Sequence, residues 1–151
     1  AHGADAVLLI AECLADQQIG DILSLTHELS LSVLLEVHSR DNLLRVLPIL
    51  GQRRNPSTLL GINNRDLTRM VTDLRHTTDL LDLVPDTANL VSESGITTRD
   101  DLAALRKHGV HIALIGEHLM RQPDPGEALR AMLHATPRAG ARHGTGTEPS
   151  Q

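Results

Sequence analysis

The 151-residue chain contains no phenylalanine, tyrosine or tryptophan. Its core must therefore be built from leucine, isoleucine, valine, alanine and methionine. Without aromatic rings, the chain also lacks the stacking surfaces that bind single-stranded nucleic acids. A net charge of −5 gives no excess of basic residues for binding a phosphate backbone. Both absences argue against a nucleic-acid-binding protein.

Cysteine and long apolar segments are also scarce. The one cysteine, Cys13, cannot form an internal disulfide, and we expect it to be a small buried residue rather than a reactive thiol. No apolar run approaches the roughly 18–20 residues that a membrane-spanning helix needs. Residues 1–5 show no signal-peptide pattern. The sequence therefore favours a cytoplasmic protein with no membrane association.

Five short segments are rich in valine, isoleucine and leucine and are almost continuously apolar. This pattern is typical of parallel strands that are buried on both faces. The segments are residues 6–10, 33–37, 58–62, 88–91 and 112–115. Helical periodicity extends over residues 16–29, 73–83 and 125–133. Two further helices are predicted, one capped by Ser39 and one that Thr98 opens and Gly109 ends.

Strands and helices alternate at intervals of roughly 25 residues, which indicates repeated βα units. Right-handed crossovers would join these units into one parallel sheet. Five units fit either part of a (β/α)8 barrel, the TIM-barrel fold, or a doubly wound open sheet, and periodicity does not decide between them. Residues 136–151 lack an apolar stripe, so we predict a domain over residues 1–135 and a disordered tail after it.

Ligands bind beyond the carboxyl ends of the strands in either architecture. Glu36 is the most informative residue there, because a carboxylate inside an apolar strand is costly to bury. A raised pKa would suit such a carboxyl to acid–base chemistry. An ion-paired or surface glutamate is an equally good interpretation from the residues alone.

Further candidates follow the other strands. Gly95 and Gly116 could expose backbone N–H groups to an anion, or could merely turn the chain. Arg65 could bind a carboxylate or phosphate, or could pair with Asp66 or another loop acid. The histidines lack metal-ligand spacing with nearby cysteines or carboxylates, so no zinc site is expected.

Several motifs together resemble the second half of indole-3-glycerol phosphate synthase. The match runs in order from Gly3 to about Leu133. It rests on GADAVLLI from Gly3, LLEVHS from Leu34, GINNRDL from Gly61, SESGI from Ser92 and IGEHLMRQPDPGEAL from Ile115. The resemblance assigns the five strands to the fourth through eighth strands of a (β/α)8 barrel, which makes the chain a partial TIM barrel.

The resemblance also implies a reaction. The family converts 1-(2-carboxyphenylamino)-1-deoxyribulose 5-phosphate to indole-3-glycerol phosphate by a decarboxylating ring closure in tryptophan biosynthesis. It uses no metal or organic cofactor. The implied ligand is thus a phosphorylated small molecule, and neither a nucleic acid nor a membrane is an expected partner.

The resemblance further implies residue roles. Glu36 matches the general base, and Asn63 matches the asparagine that orients the substrate, with Arg65 beside it. Polar contacts to the substrate are implied for Glu93 and Ser94. The remaining matches are three residues of the phosphate loops, Gly95, Gly116 and Glu117, and one residue of the apolar wall beside the substrate ring, Leu8. At Glu117 we expect the backbone N–H to serve the phosphate and the carboxylate to turn away.

Two departures from the family pattern qualify this interpretation. The general-acid lysine, a second active-site lysine and the glutamate of the first strand have no counterparts in this chain. Residues 51–57 resemble an insertion, and we expect residues 52–55 to form an exposed loop at the bottom of the barrel.

Three hypotheses follow from the sequence. The chain is part of an indole-3-glycerol phosphate synthase and inactive alone, or it is a non-catalytic truncated barrel that binds phosphate or self-associates through open sheet edges. A third hypothesis, phosphoribosylanthranilate isomerase, is disfavoured by the GINNRD motif.

Overall fold

The computed structural model of the chain describes residues 3–52, 56–66 and 71–133. Five strands form one sheet, and two further strands form a separate hairpin. The strands are β1 (Ala6–Ile10), β2 (Ser32–Val37), β3 (Thr58–Asn63), β4 (Arg65–Asp66), β5 (Val71–Thr72), β6 (Leu90–Glu93) and β7 (Ile112–Leu114).

Helices follow each strand of the large sheet. They are α1 (Asp16–Glu28), α2 (Arg40–Gln52), α3 (Arg75–Asp79), α4 (Arg99–Lys107), α5 (Glu117–Met120) and α6 (Pro125–Leu133). Short 3-10 turns lie at Ala11–Cys13 and Leu81–Leu83. No helix within the described residues is both long and apolar enough to span a membrane.

The order of the strands decides between the two architectures that the sequence left open. The large sheet runs β1-β2-β3-β6-β7, and every pairing in it is parallel. Each new strand is thus added to the same edge. When right-handed crossovers add successive strands to one edge, all the connecting helices lie on one face of the sheet, as in a barrel. A doubly wound sheet instead reverses the direction in which strands are added. The fold is a sector of a (β/α) barrel, and the predicted fold class is confirmed.

The core lies between this sheet and the helices. Leu35 of β2 pairs in register with Leu9 and with Leu60 on its two neighbouring strands. Side chains in register point to the same face of a sheet, and these three pack with Ile19 of α1 and Leu43 of α2. The alternate positions point to the other face, which is the concave face of a barrel.

Side-chain caps are present at three helices, including the predicted caps at Ser39 and Thr98. Ser39 Oγ accepts a hydrogen bond from Asn42 N at 3.2 Å. Thr98 and Asp101 cap each other reciprocally at the start of α4, and Asp124 Oδ1 accepts from Glu127 N at 2.9 Å. These contacts satisfy backbone N–H groups that the first helical turn leaves unpaired.

The observed bounds of two elements differ from the predicted bounds by two or more residues. The strand predicted at residues 88–91 begins two residues later, so Glu93 belongs to β6 rather than to the following loop. The single helix predicted at residues 73–83 is divided into α3 and the 3-10 turn at Leu81–Leu83. Thr77 and Thr78 lie in α3, and β-branched residues are poor helix formers. The hairpin of β4 and β5 was not predicted.

Three further predictions concern Cys13, the loop at residues 52–55 and the tail at residues 136–151. Cys13 is exposed, so the expectation of a buried thiol is wrong. It ends the 3-10 turn, of which only Ala11 is buried. Gln52 ends α2, while residues 53–55 of the predicted bottom loop lie outside the described residues. The predicted tail at 136–151 also lies outside them.

Candidate active site

Glu36 lies near the carboxyl end of β2, on the concave face. It pairs in register with Ile10 of β1 and Gly61 of β3. Only 7% of the residue is exposed. Asn63 Nδ2, at the end of β3, donates a hydrogen bond to Glu36 Oε1 at 2.9 Å. Two of the predicted site residues are therefore in direct contact, and the carboxylate is buried with a partner.

Glu93 is the second buried carboxyl of this cluster. It ends β6 and is 2% exposed. Burial, the charge of Glu36 and a hydrogen bond with Glu36 raise the pKa of Glu93 to about 8. Adjacent buried carboxylates do not both ionise readily, since each charge opposes the other. Glu93 therefore carries a proton at neutral pH, next to Glu36.

Gly61 makes room for the Glu93 carboxyl. A Cβ atom at Gly61 would lie 1.8 Å from Glu93 Oε1 and 3.2 Å from Leu34 Cδ1. The carboxyl of Glu93 thus occupies the space above Gly61, the residue in register with Glu36. A glycine within an apolar strand is a sequence signal for such a close approach, and our sequence analysis did not use it.

His38 and Glu12 extend the cluster beyond the predicted residues. Glu12 follows β1 and accepts hydrogen bonds from His38 N at 2.7 Å and from its ring Nδ1 at 3.2 Å. The other ring nitrogen, Nε2, lies 3.1 Å from Glu36 Oε1. Burial raises the pKa of Glu12, but hydrogen bonds from the His38 backbone and ring outweigh it and hold that pKa below its usual value.

Asn64 is a second residue that sequence reasoning missed. Its Nδ2 donates to Ser92 Oγ at 3.0 Å and to the carbonyl oxygens of Glu93 and Ser94 at 2.9 and 3.1 Å. Its Oδ1 accepts from Thr77 N and Oγ1 at 3.0 and 2.8 Å. Asn64 therefore ties the end of β3 to the end of β6 and to α3. Because neighbouring residues alternate faces, Asn63 serves the concave face while Asn64 serves the helical one.

Replacing Asn64 with alanine should destabilise the chain by about 2–4 kcal/mol, since it leaves several buried donors and acceptors without partners. Urea unfolding monitored by circular dichroism would measure the loss. Asn89→Ala is the control, because Asn89 is exposed and a surface change of this kind costs about 0.5 kcal/mol or less. Equal effects of the two substitutions would contradict the role of Asn64.

The turn after β6 has a special backbone conformation. Ser94 and Gly95 have φ values of 66° and 77°, in the left-handed region that non-glycine residues rarely adopt. A Cβ atom at Gly95 would lie 2.5 Å from Thr72 Cγ2 of the hairpin. Gly95 is therefore required both for its φ and for the close approach of β5.

An open cleft of about 870 Å³ lies beside this turn. Predicted site residues from three strand ends line it, namely Arg65, Ser94, Gly95, Gly116 and Glu117. Thr72, Thr97, His118 and Arg121 complete its polar lining. The structure thus brings together the residues that the resemblance assigned to phosphate binding.

Within the cleft, Glu117 is ion-paired. Its carboxylate pairs with Arg65, and its Oε1 lies 2.7 Å from Arg121 Nη2. The hydrogen bond and charge of Arg65, followed by the charge of Arg121, hold the pKa of Glu117 below its usual value. Two guanidinium groups therefore hold this carboxylate, and the expectation that it turns away from a bound phosphate stays a prediction. Arg65 pairs with an acid of α5, Glu117, and phosphate binding by Arg65 stays a prediction as well.

Gly116 and Leu8 are the two remaining predicted site residues. Gly116 has φ −116°, and a Cβ there would meet nothing within 4 Å, so its backbone does not require glycine. Leu8 is in register with Leu34 on the concave face and is 53% exposed. It is not part of the cleft lining.

Among the described residues, no three histidine, cysteine, aspartate or glutamate side chains converge as ligands of one ion. The carboxylates of the cluster instead contact asparagine, histidine and each other.

The sheet order, the buried carboxyl pair and the adjacent cleft define a (β/α)-barrel sector with a polar site at the carboxyl ends of its strands. The family model for indole-3-glycerol phosphate synthase matches residues 1–132. The chain belongs to the indole-3-glycerol phosphate synthase family.

Individual relatives agree. The chain is 46% identical over 133 residues to indole-3-glycerol phosphate synthase of Variovorax paradoxus (strain S110), covering 88% of the chain and 48% of that protein. It is 47% identical over 133 residues to the enzyme of Leptothrix cholodnii (strain ATCC 51168 / LMG 8142 / SP-6), with the same coverage of 88% and 48%. It is 42% identical over 131 residues to the enzyme of Legionella pneumophila (strain Paris), covering 87% of the chain and 48% of that protein. The chain spans about half the length of these curated relatives.

Proposed function

We propose that this chain supplies the general base and the phosphate-binding part of an indole-3-glycerol phosphate synthase active site. The substrate would be 1-(2-carboxyphenylamino)-1-deoxyribulose 5-phosphate, and the reaction its decarboxylating ring closure. The observation that carries the proposal is the buried pair of Glu36 and Glu93, held by Asn63 at the strand ends beside an open cleft.

The pair suits proton transfer. Glu36 accepts a hydrogen bond from Asn63 Nδ2, whereas the raised pKa of Glu93, about 8, keeps that carboxyl protonated at neutral pH. A carboxylate and a carboxylic acid side by side provide an acceptor and a donor at one place. We assign the base to Glu36, and substrate orientation to Asn63 and to the polar residues Glu93 and Ser94.

The cleft suits the phosphate group. Arg65 presents a guanidinium fork that can bind a phosphate in two places, and Gly95 allows close approach of the backbone at its left-handed φ of 77°. Arg65 pairs with Glu117 in the absence of an anion. Phosphate binding therefore requires Arg65 to exchange the Glu117 carboxylate for the phosphate, with Gly116 and the Glu117 backbone beside it. Leu8 would face the aromatic ring of the substrate.

The family's general-acid lysine has no counterpart among these residues. The only lysine in the sequence is Lys107. It ends α4, and the chain then passes to the amino end of β7, the edge of the sheet opposite the site. Turnover therefore requires a lysine from a further segment, the one that supplies the first three barrel strands.

We expect the chain alone to show no synthase activity, and activity to appear when a segment that supplies the first three strands is added. Indole fluorescence of the product would report the reaction, and this chain adds no tryptophan or tyrosine emission of its own. Full turnover by the chain alone would overturn the need for the added lysine. No turnover by the reconstituted enzyme would overturn the proposed function.

A second proposal concerns association. The edges of the sheet are β1 and β7, and unpaired strand edges invite pairing with another chain. We therefore expect self-association of the chain alone, decreasing when the complementary segment is present. Sedimentation of the same samples would report the self-association.

Cytoplasmic location is also proposed, as the single thiol Cys13 has no partner within the chain for a disulfide.

A further inference from the structure

We propose that Glu12 and His38 form a positioning pair that orients the Glu36 carboxylate. The inference rests on the proposed role of Glu36 as general base. His38 does not belong to the residues that the resemblance assigned to the site. Its imidazole ring has contacts on both sides.

Glu12 fixes one side of the imidazole. Both carboxylate oxygens of Glu12 are used, Oε1 by the backbone N–H of His38 at 2.7 Å and Oε2 by ring Nδ1 at 3.2 Å. Asn42 Nδ2 on α2 also donates to Glu12 Oε1 at 2.9 Å, and to the capping Ser39 Oγ at 3.0 Å. The ring is therefore held with Nδ1–H toward Glu12, and this leaves Nε2 to face the cluster.

The other side of the ring meets Glu36. His38 Nε2 lies 3.1 Å from Glu36 Oε1, the same oxygen that accepts from Asn63 Nδ2. The Nε2 atom is buried and makes no aligned hydrogen bond with the described residues. Ring and carboxylate are thus in contact without ideal alignment, and a small rotation of either group would complete the bond.

Carboxyl groups lie at both nitrogens of the His38 ring. With Nδ1–H directed to Glu12, Nε2 can donate to an ionised Glu36 only if it also carries a proton. The titratable groups in contact with His38 are Glu12 after β1, Glu36 on β2 and His76 on α3, whose Nε2 lies 3.0 Å from the His38 carbonyl oxygen. The ring thus bridges the end of β1 and the end of β2.

The consequence for catalysis is indirect, because His38 contacts Glu36 and lies apart from the cleft lining. His38→Gln removes the imidazole contact with Glu36 and should lower kcat by about 10- to 100-fold, the range known for outer partners that orient metal ligands. KM should stay within about threefold, because His38 does not line the cleft.

Two combinations of variants in the reconstituted enzyme separate positioning from a general loss of structure. In a Glu36→Gln background, His38→Gln should leave the residual rate unchanged, because the residue through which it acts is already altered. Glu12→Gln with His38→Gln should be no slower than His38→Gln alone. His111→Gln is the matched control, because His111 is exposed and precedes β7. A further loss of rate in the Glu36→Gln background would overturn the proposal.

An independent readout on the chain alone keeps this inference separate from the proposed function. The nine histidines are the only source of aromatic ring signals in this sequence, so their nuclear magnetic resonance signals are free of overlap from other rings. Nitrogen shifts should show Nδ1 of His38 protonated and hydrogen-bonded. Glu12→Gln and Glu36→Gln should each shift the His38 ring signals. Unaltered ring signals in both variants would overturn the positioning pair, even if the enzyme is active.

Discussion

Glu36→Gln is expected to reduce turnover of the reconstituted enzyme by about 10²- to 10⁴-fold, the contribution of a positioned general base. Glutamine has nearly the same shape as glutamate, and its amide oxygen can still accept the hydrogen bond from Asn63 Nδ2. What it removes is the ability of the side chain to accept a proton from the substrate. The loss should therefore appear in kcat, with the protein still folded.

The comparison needs a check on stability and a neutral substitution. Glu36 is buried between β1 and β3, so unfolding by urea must show that Glu36→Gln is as stable as the parent within about 1 kcal/mol. Glu28→Gln is the matched control, because Glu28 is exposed at the end of α1. A Glu36→Gln enzyme with the parental rate would refute the assignment of the base.

Much of the fold could be predicted because its strands and helices follow from local sequence patterns. Continuous apolar segments predicted five buried strands, and caps such as Thr98 with Asp101 predicted where helices begin. Periodicity could not distinguish a barrel from an open sheet, since both repeat the same unit. That distinction lies in which strand ends become neighbours, as in the pairing of β3 with β6 across two intervening short strands.

The candidate site was predictable only in part, for a similar reason. The strand-end positions of Glu36 and Asn63 follow from the sequence pattern and the resemblance. The contacts of Glu93 above Gly61, and of Glu12 with His38, join residues 26 or more positions apart, and they depend on strand register. The pairing of Glu117 with Arg65 was not predicted, because it joins the short helix α5 to a residue 52 positions earlier.

Glu93→Gln is expected to stabilise the chain at alkaline pH by about 2–4 kcal/mol, with the difference fading toward pH 4.5. The pKa of Glu93 is about 8 in the folded chain, against a usual value of 4.5. Between these values the unfolded chain loses this proton while the folded chain keeps it. The unfolded state therefore binds fewer protons, and stability decreases as pH rises, by up to about 1.4 kcal/mol per pH unit for one group.

Glutamine mimics the protonated form of Glu93 at every pH, so the variant lacks this decrease. Urea unfolding of both proteins from pH 4.5 to pH 9 would measure the difference. Glu28→Gln should run parallel to the parent, since that side chain is exposed. A Glu93→Gln variant that tracks the parent across the range would mean that Glu93 ionises normally. Glu93 could then not keep its proton beside Glu36 at neutral pH, and the acid–base pair would lose its donor.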